Sequence, residues 1–549
     1  MAHTSTFRNL MRLLQQARRM YLLEAGLPKP IDREAFRASR RQFLGRTALG
    51  GAGSVMLATM PGLMRDALAD NLSTSRIAII GGGLAGLNAA YQLKKAGLNA
   101  DVYEGRHRLG GRVHSVSFPN SNGLIVEAGA EFINTDHDDM MSLVTDLGLP
   151  LFDRHADAMA SDTPGSAYYF EGKSWSEAEM ALLLQALAAQ ISQDAELLDT
   201  DWDTYAPVFD QLSVTAYLDQ HADLIPQGFI RQLMENAIRV EYGVEPDDSS
   251  ALQLLFLLPT VDGHSVELLG YSDEAFNIVD GNARIIDGLA DALTGQIHTG
   301  MVLKELEMEE EGGPIELEFT NGESIEADYV ILALPFTALR HVRLNAPLPG
   351  RLKQFIKQVD LGNNEKLLAG FQQRSWHAEG GFTLDAWTDL DFASLWDASQ
   401  RQGELENGVL TYYLGGDQVD LLDGPAGTTD ANGQAFTEQL AAYIPGLAHA
   451  ATGDYRRTAW ARNPLTRGAY VNYRPGQLTR FGDYLWIESD DPAERQTVNQ
   501  GNLVFAGEHL SDEFYGFMNG AAQTGRLAAQ LVQQMMSAAA NQGTNKNAR

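Results

Sequence analysis

Between Arg76 and Arg112 the chain sets Gly81-Gly-Gly-Leu-Ala-Gly86 and the pair Gly110-Gly111 on either side of a carboxylate, Glu104, with Arg106, Arg108 and Arg112 alongside. Glycines at this spacing let backbone amides reach phosphate oxygens. Gly81 permits a tight turn, Gly83 lets the backbone approach a pyrophosphate, and Gly86 lets the following helix pack closely. The phosphates then rest on amides at the N-terminus of a helix opened by Leu84 and Ala85. Glu104 follows about 20 residues on, where the ribose-binding carboxylate of such a unit belongs. The chemistry implied is that of a bound dinucleotide, and so of electron transfer.

The elements that must position these residues can be read on both sides of the turn. Ile77-Ala-Ile-Ile80 is a branched apolar run of the kind that forms a buried parallel strand. Leu84, Leu87, Ala90, Tyr91 and Leu93 give the next segment one apolar face, and Lys94 and Lys95 sit where the C-terminal end of a helix dipole favours cations. A second strand, Ala100-Asp-Val-Tyr103, delivers Glu104. The fold class expected is α/β, with a doubly wound dinucleotide-binding domain.

The continuation Glu104-Gly-Arg-His-Arg-Leu-Gly-Gly-Arg112 resembles the flavin-containing amine oxidase family, which includes monoamine, polyamine and L-amino acid oxidases. The resemblance implies FAD, with Glu104, Gly105, Arg106, Gly111 and Arg112 at its ribose and phosphates. Arg108 reads as a solvated charge. Glu127-Ala-Gly-Ala-Glu-Phe-Ile133 resembles the segment that passes over the flavin, which brings in Gly129, Ala130, Glu131 and Phe132. Phe276-Asn-Ile-Val-Asp-Gly-Asn282 resembles the re-entry segment, with Asn282 where a second glycine is usual, and Val302 falls at the adenine-contacting position. Ala327 to Pro335 matches a further strand of this domain. Leu503-Val-Phe-Ala-Gly-Glu508, followed by Tyr515-Gly-Phe-Met-Asn-Gly-Ala521, resembles the last cofactor segment. Gly507 and Glu508 would meet the ribitol there. Gly516, Phe517, Met518 and Ala521 would open a helix facing the flavin, whose dipole favours an anionic reduced ring.

For catalysis the resemblance points to Lys366, at the family position of a lysine that holds a water against the flavin and aids reaction with oxygen. Phe517 and Tyr473 match two aromatic walls that would flank a neutral amine and exclude water, and Trp460 a tryptophan near the cofactor. His137 and His509 read as structural. No metal is called for. Where several L-amino acid oxidases carry an arginine that clamps the substrate carboxylate, this chain has Phe132, leaving Arg239, Arg462, Arg467 and Arg474 as unranked substitutes. Arg239-Val-Glu-Tyr-Gly243 and Tyr271-Ser-Asp-Glu274 nevertheless look like bacterial members labelled L-amino acid oxidases. The expected reaction is oxidation of a primary amine or an L-amino acid to an imine, giving a carbonyl product and ammonia, with oxygen reduced to hydrogen peroxide. Two alternatives stand beside it: a desaturase or protoporphyrinogen-type oxidase acting on carbon-carbon bonds, and an exported flavoprotein without turnover.

Segments 76–135, 276–340 and 500–535 would assemble the FAD domain, with 136–275 and 341–499 forming an interleaved α+β substrate domain and 536–549 a polar, frayed tail. Ser39-Arg-Arg-Gln-Phe-Leu-Gly45, an uncharged stretch and Ala67-Leu-Ala69 read as a twin-arginine signal over 1–69, preceded by a basic leader, so the twin-arginine export machinery is an expected partner. The destination would be the periplasm or the exterior, reached already folded, with no stable membrane anchor in the mature form. A homodimer is left open. The 549 residues are 44% hydrophobic and include no cysteine, which excludes disulfides and thiolate chemistry. The formal charge is -31, and taking away the net +7 of residues 1–69 (11 Lys and Arg against 4 Asp and Glu) leaves -38, a surface that repels nucleic acid.

Overall fold

The structure is a computed structural model that describes residues 75–547, apart from 226–227, 257–260, 263–264, 267–273, 379, 424–427 and 490. The signal sequence, its leader and most of Tyr271 to Glu274 therefore lie outside the described residues. The chain divides into two compact units, each built from discontinuous segments. One takes its described residues from 112–284 and 359–480, the other from 75–111, 285–358 and 481–547.

The second of these units carries the glycine turns. Among the described residues its main sheet has six strands, in the order Ile297–Thr299, Asp101–Glu104, Ile77–Ile80, Tyr329–Leu332, Leu503–Phe505 and Asn499–Gln500. The first five run parallel and the last is antiparallel. Ile77–Ile80 lies mid-sheet and is fully buried, as its apolar run requires. The helix Leu84–Lys95 follows it directly, with Lys94 and Lys95 in its last turn. A smaller sheet joins Ser324–Ala327, Ile315–Phe319, Leu303–Glu307 and Arg343–Asn345. The helix Met518–Asn547 packs on Leu84–Lys95, where Asn88 donates its side-chain amide to the Ala522 carbonyl at 2.7 Å. This helix continues past Met536, through the segment expected to fray, because Ser537-Ala-Ala-Ala540 keeps helix-favouring residues in its path.

The other unit is organised around a sheet of seven strands among the described residues. Their order is Ala451–Arg457, Asn364–Phe371, Gly408–Gly415, Ser394–Asp397, Asp385–Thr388, Ser166–Phe170 and Lys173–Ser174. Asn364–Phe371 and Gly408–Gly415 are buried along their whole length and pair antiparallel, with Lys366 opposite Tyr413. Alternate residues face opposite ways. Leu367, Ala369 and Phe371 join a core that includes Phe436 and Leu440 of the helix Thr429–Leu440. Leu368, Val409, Trp396 and Tyr413 pack instead with Phe118, Leu124 and Val126, and Lys366 belongs to this face. The Ala-, Leu- and Glu-rich stretch from Trp175 to Leu198 is largely the helix Glu177–Thr200, entered through a capping box of Ser176 and Glu179. The apolar spacing from Val214 to Val240 is taken up by two helices, Val214–Gln220 and Gly228–Tyr242.

Segments 112–135 and 276–284, which the sequence reading grouped with the cofactor segments, fall in this unit. Glu127 shows why. Its carboxylate accepts from Ser115 Oγ at 2.7 Å, the Asn282 amide at 2.9 Å and Arg401 at 2.8 Å, tying three distant segments into one buried knot.

Candidate functional site

In the unit with the glycine turns, the cradle is built largely from backbone. A Cβ on Gly86 would lie 2.0 Å from the Gly81 carbonyl oxygen, so helix and strand meet at a distance only glycine allows. The first turn of Leu84–Lys95 has no acidic residue, and its N-cap, Gly83, makes no side-chain cap. That leaves the positive end of the helix open to an anion. The two glycine turns are joined to each other: the Gly110 amide donates to the Gly82 carbonyl at 2.8 Å, and Gly83 bridges Gly110. Glu104 is buried at the end of its strand. One carboxylate oxygen takes the Gly82 amide at 2.7 Å and the other the Arg106 amide at 2.8 Å, so the acid fixes the entry to both turns.

Arg108, expected to be solvated, folds back on the second turn and donates to the carbonyls of Leu109 at 2.9 Å and Gly111 at 2.8 Å. The spacing of its neighbours had been the only signal. Val302 adjoins this acid through Met301, whose amide donates to the Glu104 carbonyl at 2.8 Å, while Gly300 donates to the Arg106 carbonyl at 3.0 Å. At the far strand, Glu508 is buried and accepts the Gly516 amide at 2.7 Å. The Gly507 amide donates to Thr524 Oγ1 at 3.0 Å. Phe517 and Met518 are buried at the start of Met518–Asn547, and the Ala521 amide reaches the Phe517 carbonyl at 3.3 Å.

The other unit brings Lys366, Trp460 and the segment Glu127 to Phe132 together. The buried Lys366 ammonium donates to the carbonyls of Glu127 at 3.0 Å and Gly129 at 2.9 Å, and to the Glu131 carboxylate at 2.6 Å. It also lies 5.1 Å from the ring centre of Trp396. Trp460 donates its indole N–H to the Ala128 carbonyl at 3.0 Å. Gly129 has no alternative at its position, since a Cβ there would stand 1.8 Å from the Arg112 carbonyl oxygen. The Ala130 amide donates to that same oxygen at 3.0 Å, and the Arg112 guanidinium donates to the Ala469 carbonyl. Asn282, the departure from the usual glycine, uses its side-chain amide on the carbonyls of Ala130 at 3.2 Å and Glu131 at 2.6 Å. Tyr473 is buried, its backbone held by Gln253 and by the Ser250 amide, which reaches its carbonyl at 2.9 Å.

The arginines proposed as carboxylate clamps are occupied elsewhere. Arg239 pairs with Glu245 at 2.7 Å, Arg462 with Asp423, and Arg474 lies 3.7 Å from both Asp248 and Asp360. Arg467 donates to the carbonyl of Pro464 three residues back. Besides Arg401, which binds Glu127, Arg154 reaches the segment. It is buried, stacks 4.0 Å above the Phe132 ring, bonds to Gln400 at 3.2 Å and lies 3.7 Å from Glu274. No local pattern marks Arg154, Arg401 or Ser115 in the sequence; Arg401 and Glu127 are 274 residues apart.

Glu241 and Glu274, from the two motifs resembling bacterial L-amino acid oxidases, act on one tyrosine pair. Tyr413 and Tyr470 share a hydroxyl-to-hydroxyl bond of 2.5 Å, and Tyr470 reaches the Val240 carbonyl at 3.0 Å. Burial raises both hydroxyls far above the ordinary tyrosine pKa, and the carboxylates of Glu241 and Glu274, with Glu131 at Tyr413, add to the rise. His137 is structural: burial lowers its pKa to about 3, and its Nδ1 accepts the Asn134 amide at 3.1 Å.

The sequence matches the flavin containing amine oxidoreductase family over residues 84–533, and the chain belongs to that family. Its cofactor is accordingly FAD. The buried ribose-type acid Glu104, the uncapped helix start and the glycine-lined approach at Gly86 fit such a group. A probable flavin-containing monoamine oxidase A of Dictyostelium discoideum is 23% identical over 82% of this chain and 95% of its own. Human flavin-containing amine oxidase B is 23% identical over 83% of this chain and 85% of its own. The (S)-6-hydroxynicotine oxidase of Paenarthrobacter nicotinovorans is 25% identical over 83% and 98%. Among solved structures, putrescine oxidase bound to putrescine superimposes with a TM-score of 0.68 at 21% identity, covering 84% of this chain and 99% of that one. Cyclohexylamine oxidase from Brevibacterium oxydans gives 0.69 at 21% identity with the same coverage. These likenesses agree with the mixed α/β fold. The chain is thus an oxidoreductase acting on amines.

Proposed function

We propose that the protein oxidises a primary amine to an imine, which water converts to a carbonyl product and ammonia, with oxygen reduced to hydrogen peroxide. The observation that carries this reading is the seat of Lys366, whose ammonium is fixed on the carbonyls of Glu127 and Gly129 within the segment that resembles the flavin-covering one. FAD, when bound, accepts a hydride from the carbon bearing the nitrogen and passes two electrons to oxygen. The residues of this chain orient the amine and exclude water. In the unit that holds Lys366, Tyr473 offers a buried aromatic wall, while Trp460 and Asn282 keep the Glu127 to Phe132 segment in place.

Charge favours an amine over an amino acid. The buried carboxylates Glu127, Glu131, Glu241 and Glu274 outnumber the buried cations Lys366, Arg154 and Arg401, and an entering carboxylate would meet this excess of negative charge. One observation supports the L-amino acid reading: Arg154 sits over Phe132, and a substrate carboxylate that displaced Glu274 would find a guanidinium there. Anaerobic bleaching of the flavin absorbance by tyramine against L-tyrosine, and by cadaverine against L-lysine, separates the two. Bleaching by the amines alone supports the proposal. Bleaching by the amino acids transfers the assignment to Arg154, and bleaching by neither points to carbon-carbon oxidation or a flavoprotein without turnover.

We further propose export of the folded holoprotein by the twin-arginine route to the periplasm or exterior. Ser39 to Gly45 and Ala67-Leu-Ala69 support this, and among the described residues no helix is long and apolar enough to cross a membrane. Lys substitution at both Arg40 and Arg41 should hold the protein in the cytoplasm, as fractionation would show.

A further inference from the structure

We infer that Glu131 is the positioning residue of Lys366, and that the two work as one ion pair in the reaction with oxygen. The inference rests on the reading of Lys366 given above. All three N–H bonds of the Lys366 ammonium are engaged, by Glu127 O at 3.0 Å, Gly129 O at 2.9 Å and Glu131 Oε2 at 2.6 Å. The Trp396 ring lies on another side of the ammonium, 5.1 Å away.

The three acceptors are not equivalent. Two are backbone carbonyls of a segment that cannot withdraw them: Arg401, Ser115 and the Asn282 amide hold the Glu127 carboxylate, Trp460 holds Ala128, and Gly129 is wedged against Arg112. The third belongs to a side chain that rotates. If Lys366 is to direct a proton to a water or to reduced oxygen, Glu131 is the partner it exchanges. Glu131 is also the one charged acceptor of the three. Lys366 and Glu131 are each 7% exposed, and at such depth an ammonium without a countercharge costs several kcal/mol. Glu131 therefore sets both where the ammonium points and what it costs to keep it there.

The test is a double-mutant cycle on the FAD-loaded protein with Glu131→Gln, Lys366→Met and the double variant. Anaerobic reduction by amine and reoxidation by oxygen are followed separately, and thermal midpoints are measured alongside. Expected is reduction within about threefold of the parent in all three. Reoxidation should slow about tenfold or more in each single variant, and the double should be no slower than the slower single, as befits residues acting as a unit. Lys366→Met should lower the midpoint by stranding a buried carboxylate, and adding Glu131→Gln should restore part of it. Glu131→Asp, which keeps the charge, should recover most of the reoxidation rate. Normal reoxidation in Glu131→Gln beside a slow Lys366→Met overturns the positioning role alone, as do multiplicative effects in the double. Normal reoxidation in Lys366→Met overturns the underlying reading of Lys366.

Discussion

The dinucleotide unit and the unit that holds Lys366 solve the same problem, fixing a loop in place, with opposite materials. In the first, the loops at Gly82 and Gly110 are joined backbone to backbone, and Glu104 serves amides only 22 residues before it and two after. In the second, the segment Glu127 to Phe132 is gripped by the side chains of Ser115, Asn282, Lys366, Arg401 and Trp460, several of them hundreds of residues distant. A backbone cradle recognises what dinucleotides have in common. A side-chain clamp depends on particular residues and can be altered one residue at a time.

The contrast breaks most sharply at its two closest approaches. Gly129→Val, with a Cβ 1.8 Å from the Arg112 carbonyl, should prevent the protein from folding as a soluble species. Gly86→Val, at 2.0 Å from the Gly81 carbonyl, should yield protein without flavin, read from the ratio of flavin to protein absorbance. Next in size is Arg401→Met. It strands the Glu127 carboxylate, 0% exposed, and should cost about 3 to 5 kcal/mol in denaturant unfolding. Glu508→Ala should weaken FAD retention by about 1 to 3 kcal/mol without touching the Lys366 clamp, since it frees the Gly516 amide of its acceptor. A loss confined to substrate turnover would blur the division between the units.

The last effect is absent at neutral pH and appears only in acid. His137 titrates near 3 in the fold against 6.5 in the open chain, so the unfolded form binds the proton first. Its contribution is whole above pH 6.5 and drains away as pH falls toward 3, by up to about 1.4 kcal/mol per pH unit. His137→Asn should flatten that slope, measured by unfolding at a series of pH values.

What the sequence disclosed follows the same division. The strand Ile77–Ile80, the helix Leu84–Lys95 and the acid Glu104 could be read from residue type and spacing, because glycines, a short apolar run and one carboxylate interact within a few turns of chain. Lys366, Trp460 and the Glu127 to Phe132 segment were found through family resemblance, and the structure brings them together. Nothing local announced that Arg154 would stack on Phe132, or that Arg239-Val-Glu-Tyr-Gly243 would send Glu241 to the same tyrosine pair as Glu274. Such pairings depend on which strands lie side by side, and periodicity carries no information about that. The apolar spacing from Val214 to Val240 does mark helix, but not where one helix ends and the next begins. Helical spacing persists on both sides of the break, which opens at His221 beyond Gln220.

The strand order of the dinucleotide unit also sets a timetable. Ile77–Ile80 pairs with Tyr329–Leu332, which in turn pairs with Leu503–Phe505. A chain emerging from the ribosome has its first phosphate turn early, yet the sheet that supports this turn stays unfinished until residue 505 has been made. Stable flavin capture by this sheet is therefore expected only after residue 505 has been made. A product released before Leu503 lacks the strand beside Tyr329–Leu332 and with it Glu508, so bound flavin is expected to mark chains whose translation passed that point.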